Sequence, residues 1–145
     1  MTDLRMDHVS LVVDDLEAAV AFFDELGLET EGSAHVEGPW VDRVNAIDNV
    51  QVDITMMKTS DGHGRLELTK FNTPEATDSE PNAPPNRLGL RSVMFAVDDI
   101  DDTVARLQSR GGELVGEIAQ YEDMYRLCYM RGPAGIIVSL AEALR

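Results

Sequence analysis

Apolar residues near the start of the chain first alternate and then recur at a helical spacing. Every second residue from Val9 to Val13 is a large aliphatic residue, which is the period of a β-strand. From Leu16 to Leu26 the apolar residues follow a helical period, and Gly27 comes next as a stop signal. The pattern predicts a strand, a helix N-cap at Asp14 or Asp15, and a helix.

The same strand–helix pattern occurs a second time, 84 positions later. HVSLVVDDLEAAVAFFDELGLE (8–29) and SVMFAVDDIDDTVARLQSRGGE (92–113) share eight of 22 positions, including the triplet VDD and a glycine after the helix. In the second copy the expected cap is Asp98 or Asp99. A repeat of this kind indicates a duplicated module.

Four further apolar runs have strand character and follow the two strand–helix units. They are VQVDITMMK (50–58), GRLELTKF (64–71), YRLCYMR (125–131) and GIIVSLAEA (135–143).

The two halves are separated by a segment that predicts no regular structure. Residues 72–87 contain four of the six prolines and no large apolar residue, which is typical of a linker. The prediction is an α+β chain of two tandem βαβββ modules, residues 1–71 and 88–145.

Charge and cysteine content narrow the class of partner. Twenty-seven acidic residues face twelve basic ones, so the net charge of −15 argues against nucleic acid and against an anionic membrane surface. No apolar run reaches the roughly 20 residues that a membrane span needs, and the N-terminus does not resemble a signal peptide. Cys128 is the only cysteine, which favours the reducing cytoplasm over an oxidising compartment.

The strings HVSLVVDDLEAAVAFFDELGL, RLELTKF, LRSVMFAVDDIDDTVARLQSRG and RGPAGIIVSLAE resemble the vicinal oxygen chelate superfamily. This superfamily includes glyoxalase I, extradiol dioxygenases, methylmalonyl-CoA epimerase and bleomycin-resistance proteins. The resemblance covers about residues 6–142. It implies a curved mixed sheet from two modules around a cavity, and a homodimer.

The resemblance also assigns metal-ligand positions, and half of them are altered. His8 matches the histidine of the first strand, and Glu67 matches the carboxylate of the fourth strand. The other two positions hold Ser92, in place of a histidine, and Ser139, in place of a carboxylate. A hydroxyl is a poor ligand for Zn, Ni, Fe or Mn, so we expect no tightly bound cofactor and only a weak, incomplete site at His8 and Glu67.

Strand alternation places other polar side chains with this pair. Ser10 shares the face of His8, and Thr69 shares the face of Glu67. The sequence leaves open whether His8 and Glu67 form a structural hydrogen bond, contact a polar ligand, or act as a metal-free acid and base. Aromatic and flexible apolar residues are candidates for a pocket wall, namely Trp40 in a loop, Met94, Tyr121 and Tyr125.

Several other residues are predicted to have ordinary structural roles. We expect His35 in a loop and His63 in a turn to be surface histidines. Cys128 is expected to be a small buried side chain, and Tyr129 is expected to pack in the core.

Two functions of different class follow. In the first, the protein binds a small, partly aromatic organic molecule in the cavity between the modules, as the bleomycin-resistance branch does. In the second, it is a divalent-metal-dependent lyase, isomerase or dioxygenase that uses His8 and Glu67 as catalytic residues. The sequence does not decide whether the chain is an enzyme.

Overall fold

The computed structural model describes residues 3–77 and 80–145. The chain divides into two compact units, Met1–Thr77 and Asp78–Arg145, and each is described by itself. Neither described range contains a helix that is long and apolar enough to cross a membrane.

The first unit is a four-stranded mixed sheet with two helices. Its elements are β1 (Val9–Val12), α1 (Leu16–Leu26), β2 (Glu29–Glu37), α2 (Pro39–Asn45), β3 (Gln51–Lys58) and β4 (Arg65–Thr73). The strand order is β1-β4-β3-β2, in which β1 and β4 are parallel and the other two pairs are antiparallel.

Helix α1 begins and ends at the residues that its sequence predicts. The Asp15 side chain accepts a hydrogen bond from the Ala18 N–H at 3.0 Å, so the second aspartate of the VDD triplet is the cap. Gly27 ends the helix with φ at 125°, a conformation that strains residues with a Cβ. The buried face includes Phe22 and Phe23, each worth roughly 1.5–3 kcal/mol in removal from water.

The two faces of the first sheet carry different side chains. Leu11, Leu66 and Leu68 are buried on the face toward α1. On the opposite face, α2 contributes Val41 to a cluster with Val50 and Val52. Register places Ser10 beside Glu67 on that second face, because paired residues of neighbouring strands point the same way.

The second unit repeats the strand–helix plan, and its sheet has five strands in place of four. Its elements are β5 (Ser92–Ala96), α3 (Ile100–Gln108), β6 (Glu113–Leu114), β7 (Ala119–Tyr121), β8 (Tyr125–Arg131) and β9 (Ile137–Ala143). The order is β5-β9-β8-β6, with β7 also paired to β8. Asp99 caps α3 by accepting from the Asp102 N–H at 3.0 Å.

The register of the two units is equivalent. Ser10 pairs with Glu67 across β1 and β4, and Met94 pairs with Ser139 across β5 and β9. The repeat of 84 positions overlays Ser10 on Met94, and their strand partners Glu67 and Ser139 are therefore equivalent as well. The predicted α+β class and the duplicated strand–helix–strand plan are confirmed.

Two local predictions were wrong. Trp40 lies in helix α2 and not in a loop, because Gly38 and Pro39 start a helix that packs Val41 on the sheet. His35 lies in strand β2, where its backbone pairs with Asp53 of β3.

The proline-rich segment is more ordered than a linker composition indicates. Strand β4 continues to Thr73, and Ala83 is 5% exposed. The Arg131 guanidinium donates to the carbonyl oxygens of Pro81 and Ala83, at 3.1 and 2.6 Å. Residues 80–87 are therefore fastened to β8 of the second unit.

Candidate functional site

The first unit brings His8 and Glu67 together at one end of β1 and β4. His8 Nε2 lies 3.3 Å from Glu67 Oε2. The two side chains are 29% and 23% exposed, so solvent or a ligand can reach them. Their closeness follows from the parallel register, which pairs Ser10 with Glu67, because His8 lies two residues before Ser10 on the same face.

Two hydroxyl groups hold the other oxygen of Glu67. Thr69 Oγ1 donates to Glu67 Oε1 at 2.8 Å, and Ser10 Oγ donates to the same oxygen at 3.3 Å. Thr69 is 6% exposed, so its hydrogen bond lies under the surface. The carboxylate is thus fixed on one side by neutral donors, and Oε2 is left directed at His8.

A second acidic side chain contacts the other nitrogen of His8. His8 Nδ1 lies 2.7 Å from Asp7 Oδ2, and Arg65 Nη1 donates to Asp7 Oδ1 at 3.2 Å. Arg65 also binds Glu31 through two of its nitrogens. The hydrogen bond from His8 and the charge of Arg65 hold the pKa of the Asp7 carboxyl below its usual range.

The donor set does not fit a tightly bound transition metal. Across residues 3–77 and 80–145, no group of three or more His, Cys, Asp or Glu side chains is arranged to share an ion. The pair His8 and Glu67 supplies one imidazole and one carboxylate, whereas Zn sites normally need three or four such ligands.

In the second unit, the equivalent positions are neutral. Ser139 pairs with Met94 on one side and with Tyr129 on the other, so the three side chains form a row on one face. Ser139 is 1% exposed, and its hydroxyl has no hydrogen-bond partner among the described residues. Ser92 is partly buried two positions before Met94 on β5.

The predicted aromatic residues are divided between the two units. Tyr121 and Tyr125 pair directly across β7 and β8, and they are 55% and 40% exposed. Trp40 is 57% exposed on α2, in the other unit.

Three contributors to these surfaces were missed or misjudged from the sequence. Asp7 was not singled out, because it precedes the strand and its side chain does not obey the alternation rule. Strand alternation predicted that Arg65 shares the face of Glu67 on β4, but no role in the site was assigned to it from the sequence. Tyr129 was expected in the core but is 40% exposed, whereas Cys128 is 4% exposed as expected, and burial raises its thiol pKa.

Two strand–helix units with equivalent sheet register define a duplicated, glyoxalase-like α+β protein. Residues 5–140 match the Glyoxalase/Bleomycin resistance protein/Dioxygenase superfamily. The chain belongs to this superfamily, which confirms the resemblance to vicinal oxygen chelate proteins.

Individual relatives agree with this membership. A glyoxalase family protein from Bacillus cereus is 52% identical, with a TM-score of 0.95, over 100% of this chain and 97% of its own. The uncharacterized protein YaeR of Escherichia coli (strain K12) is 27% identical over 95% of both chains. A variant of the fosfomycin resistance protein FosX from Listeria monocytogenes, solved with Mn(II) and a dihydroxypropylphosphonic acid, shares the fold at 14% identity and a TM-score of 0.63, over 96% of this chain and 90% of its own.

Proposed function

We propose that this protein binds a small, partly aromatic organic molecule at His8 and Glu67, through a site that has lost tight metal binding. The observation that carries the proposal is the imidazole–carboxylate pair itself. Its two facing atoms lie 3.3 Å apart, both side chains are partly exposed, and neutral hydroxyls hold the carboxylate from one side only. Such a pair offers polar anchors of the kind that orient a ligand in an otherwise apolar site.

The local charge predicts which molecules bind best. Three carboxylates, from Asp7, Glu31 and Glu67, surround Arg65 and His8. The whole chain carries −15. A ligand that brings a proton donor or a positive charge is therefore favoured over an anion.

The test uses three small aromatic probes of different charge: phenethylamine, a cation; phenol, which is neutral; and benzoate, an anion. Nuclear magnetic resonance titration should shift the ring signals of His8 with phenethylamine and phenol, and least with benzoate. Glu67→Gln should lower the affinity for phenethylamine more than the affinity for phenol, because only the cation loses a partner of opposite charge. His63→Gln, in the turn after β3, is the matched control and should behave as the parent does. Absence of any shift at His8, or strongest binding of benzoate, would contradict the proposal.

The alternative function is a divalent-metal-dependent lyase, isomerase or dioxygenase reaction at the same two residues. It is favoured only by the His8–Glu67 pair. Native mass spectrometry with elemental analysis of untagged protein separates the two proposals. Stoichiometric Zn, Ni, Fe or Mn that survives a chelator would overturn the weak-metal proposal and support the enzyme.

We also propose a cytoplasmic homodimer. Large apolar side chains are highly exposed in the segments before β1 and β5, and such surfaces often mark contacts between proteins. In these two segments they are Leu4, Met6, Leu88 and Leu90, at 95, 80, 98 and 73%. Sedimentation at micromolar concentration is expected to give a mass of two chains. A monomer under these conditions would count against the proposal.

A further inference from the structure

The imidazole of His8 lies between two carboxylates that are not equivalent. Nδ1 is 2.7 Å from Asp7 Oδ2, whereas Nε2 is 3.3 Å from Glu67 Oε2. A carboxylate only accepts hydrogen bonds, and a neutral imidazole carries one N–H. The hydrogen therefore belongs on the nitrogen with the shorter contact, which is Nδ1.

Asp7 is itself held in place from β4. Arg65 donates to Asp7 Oδ1, so each oxygen of this carboxylate has its own partner. The Arg65 guanidinium is fixed in turn by Glu31 of β2. A carboxylate held at both oxygens cannot turn away from Nδ1 without losing a charge-assisted hydrogen bond.

We infer that Asp7 is a positioning residue that fixes His8 as the Nδ1–H tautomer and leaves Nε2 as an acceptor beside Glu67. Two acceptors then face one another across 3.3 Å. A donor that approaches from the side, such as a phenol or an ammonium group, can share its hydrogen with both acceptors. This last step rests on the proposed function, whereas the tautomer does not.

The tautomer can be measured without any ligand. Long-range proton–nitrogen correlation spectra distinguish a protonated from an unprotonated ring nitrogen at a pH where the ring is neutral. The His8 signals are assigned as those that disappear in His8→Gln. In the parent protein Nδ1 should carry the hydrogen. In Asp7→Ala the one remaining carboxylate partner is Glu67, so the hydrogen should move to Nε2.

A matched control separates this effect from a loss of charge. Asp3→Ala removes the same charge four positions earlier in the same segment and should leave the parent tautomer. Circular dichroism checks that both variants fold. An Nε2–H tautomer in the parent, or an unchanged Nδ1–H tautomer in folded Asp7→Ala, would overturn the inference.

Phenol distinguishes this inference from the proposed function. Because phenol is neutral, loss of the Asp7 charge affects it little, and a changed affinity reports the tautomer. Asp7→Ala should lower the affinity for phenol about tenfold, because the phenol loses one hydrogen bond to His8 Nε2. If phenol fails to shift His8 in the parent while the tautomer inverts in Asp7→Ala, the proposed function fails and the positioning role stands.

Discussion

Two histidines of the first unit lie between pairs of carboxylates, but in different settings. His8 is partly buried, and its partner Glu67 belongs to the candidate site. His35 is exposed on β2 and binds Glu37 and Asp53 at 2.6 and 2.7 Å. The hydrogen bond that the His35 ring donates to Asp53, and then the one it donates to Glu37, raise the pKa of His35. His35 is therefore a stabilising contact of the sheet.

Stability should depend on pH through His35. A raised pKa in the folded state means that its contribution is fully present below the unfolded value of about 6.5 and is lost as pH rises through the folded value. The free energy of unfolding of the parent should fall more between about pH 6 and 8 than that of His35→Gln. Urea unfolding at both pH values measures this. Adding Asp53→Asn to His35→Gln should not reduce the slope further, and an unchanged slope in His35→Gln would refute the assignment.

Gly135 is a residue at which an added methyl group should be costly. Its φ is 77°, and an added Cβ would lie 2.3 Å from the Pro81 carbonyl oxygen. Gly135→Ala should lower the free energy of unfolding by about 1–3 kcal/mol, because both the backbone and residues 80–87 must shift. Gly116→Ala is the control, since nothing lies within 4 Å of its added Cβ. Equal urea midpoints for the two variants would show that residues 80–87 move away from the added methyl group without loss of stability.

At the scale of elements, helices α1 and α3 each use the second aspartate of a VDD triplet as the cap. The two units differ in the second side chain that contacts the backbone at the start of the helix. In the first unit Lys70 donates to the backbone oxygen of Asp14, and in the second Glu142 accepts from the Ile100 N–H at 2.8 Å. A cation at one position and an anion at the equivalent one satisfy opposite backbone groups.

The contribution of each capping aspartate to stability can be compared with that of the aspartate that precedes it. Asp15→Ala and Asp99→Ala should each cost about 0.5–2 kcal/mol in free energy of unfolding, because each removes a side-chain acceptor from the first turn. Asp14→Ala and Asp98→Ala change the same charge one residue earlier and should cost less. Chemical unfolding of the four variants checks the order. A larger loss at either first aspartate would contradict the observed caps.

Elements with a clean period could be predicted from the sequence, and short or irregular ones could not. β8 was predicted with its observed bounds, and α1 with its cap narrowed to two residues. Helix α2 was missed because seven residues give too few turns for a period, and GPW also reads as a turn. It forms because tertiary packing of Val41 on Val50 and Val52 stabilises it.

The candidate site was predictable to the same extent. Ser10, Glu67 and Thr69 lie on regular strands, and His8 directly precedes β1 in step with Ser10, so alternation placed all four on one face. Alternation would place the Asp7 side chain on the opposite face, yet it contacts His8 and Arg65. Such a contact is visible only once the strands are paired.

At the scale of the whole molecule, excess negative charge dominates. With 27 acidic and 12 basic residues, fifteen carboxylates lack a basic counterpart even if every base is paired. Their mutual repulsion opposes the compact state, and salt screens it.

Salt should therefore stabilise the protein. Raising ionic strength from about 0.01 to 0.15 M shortens the screening length from about 30 to 8 Å. The free energy of unfolding from urea titration should rise over this range, although screening also weakens individual ion pairs. A non-ionic osmolyte at equal osmolality is the control for solvent effects. A decrease with salt would mean that the ion pairs outweigh the repulsion.

Acidic side chains on the edge strand β2 oppose the formation of fibrils. Among the described residues β2 pairs only with β3, and all its side chains except Val36 are exposed. A long open edge of this kind can template the growth of further strands. Glu29, Glu31 and Glu37 line it, and its register shifts between Thr30 and Gly32. The carboxylates that hold Arg65 and His35 thus also repel a second copy of the same strand, and acid that neutralises them would remove that protection.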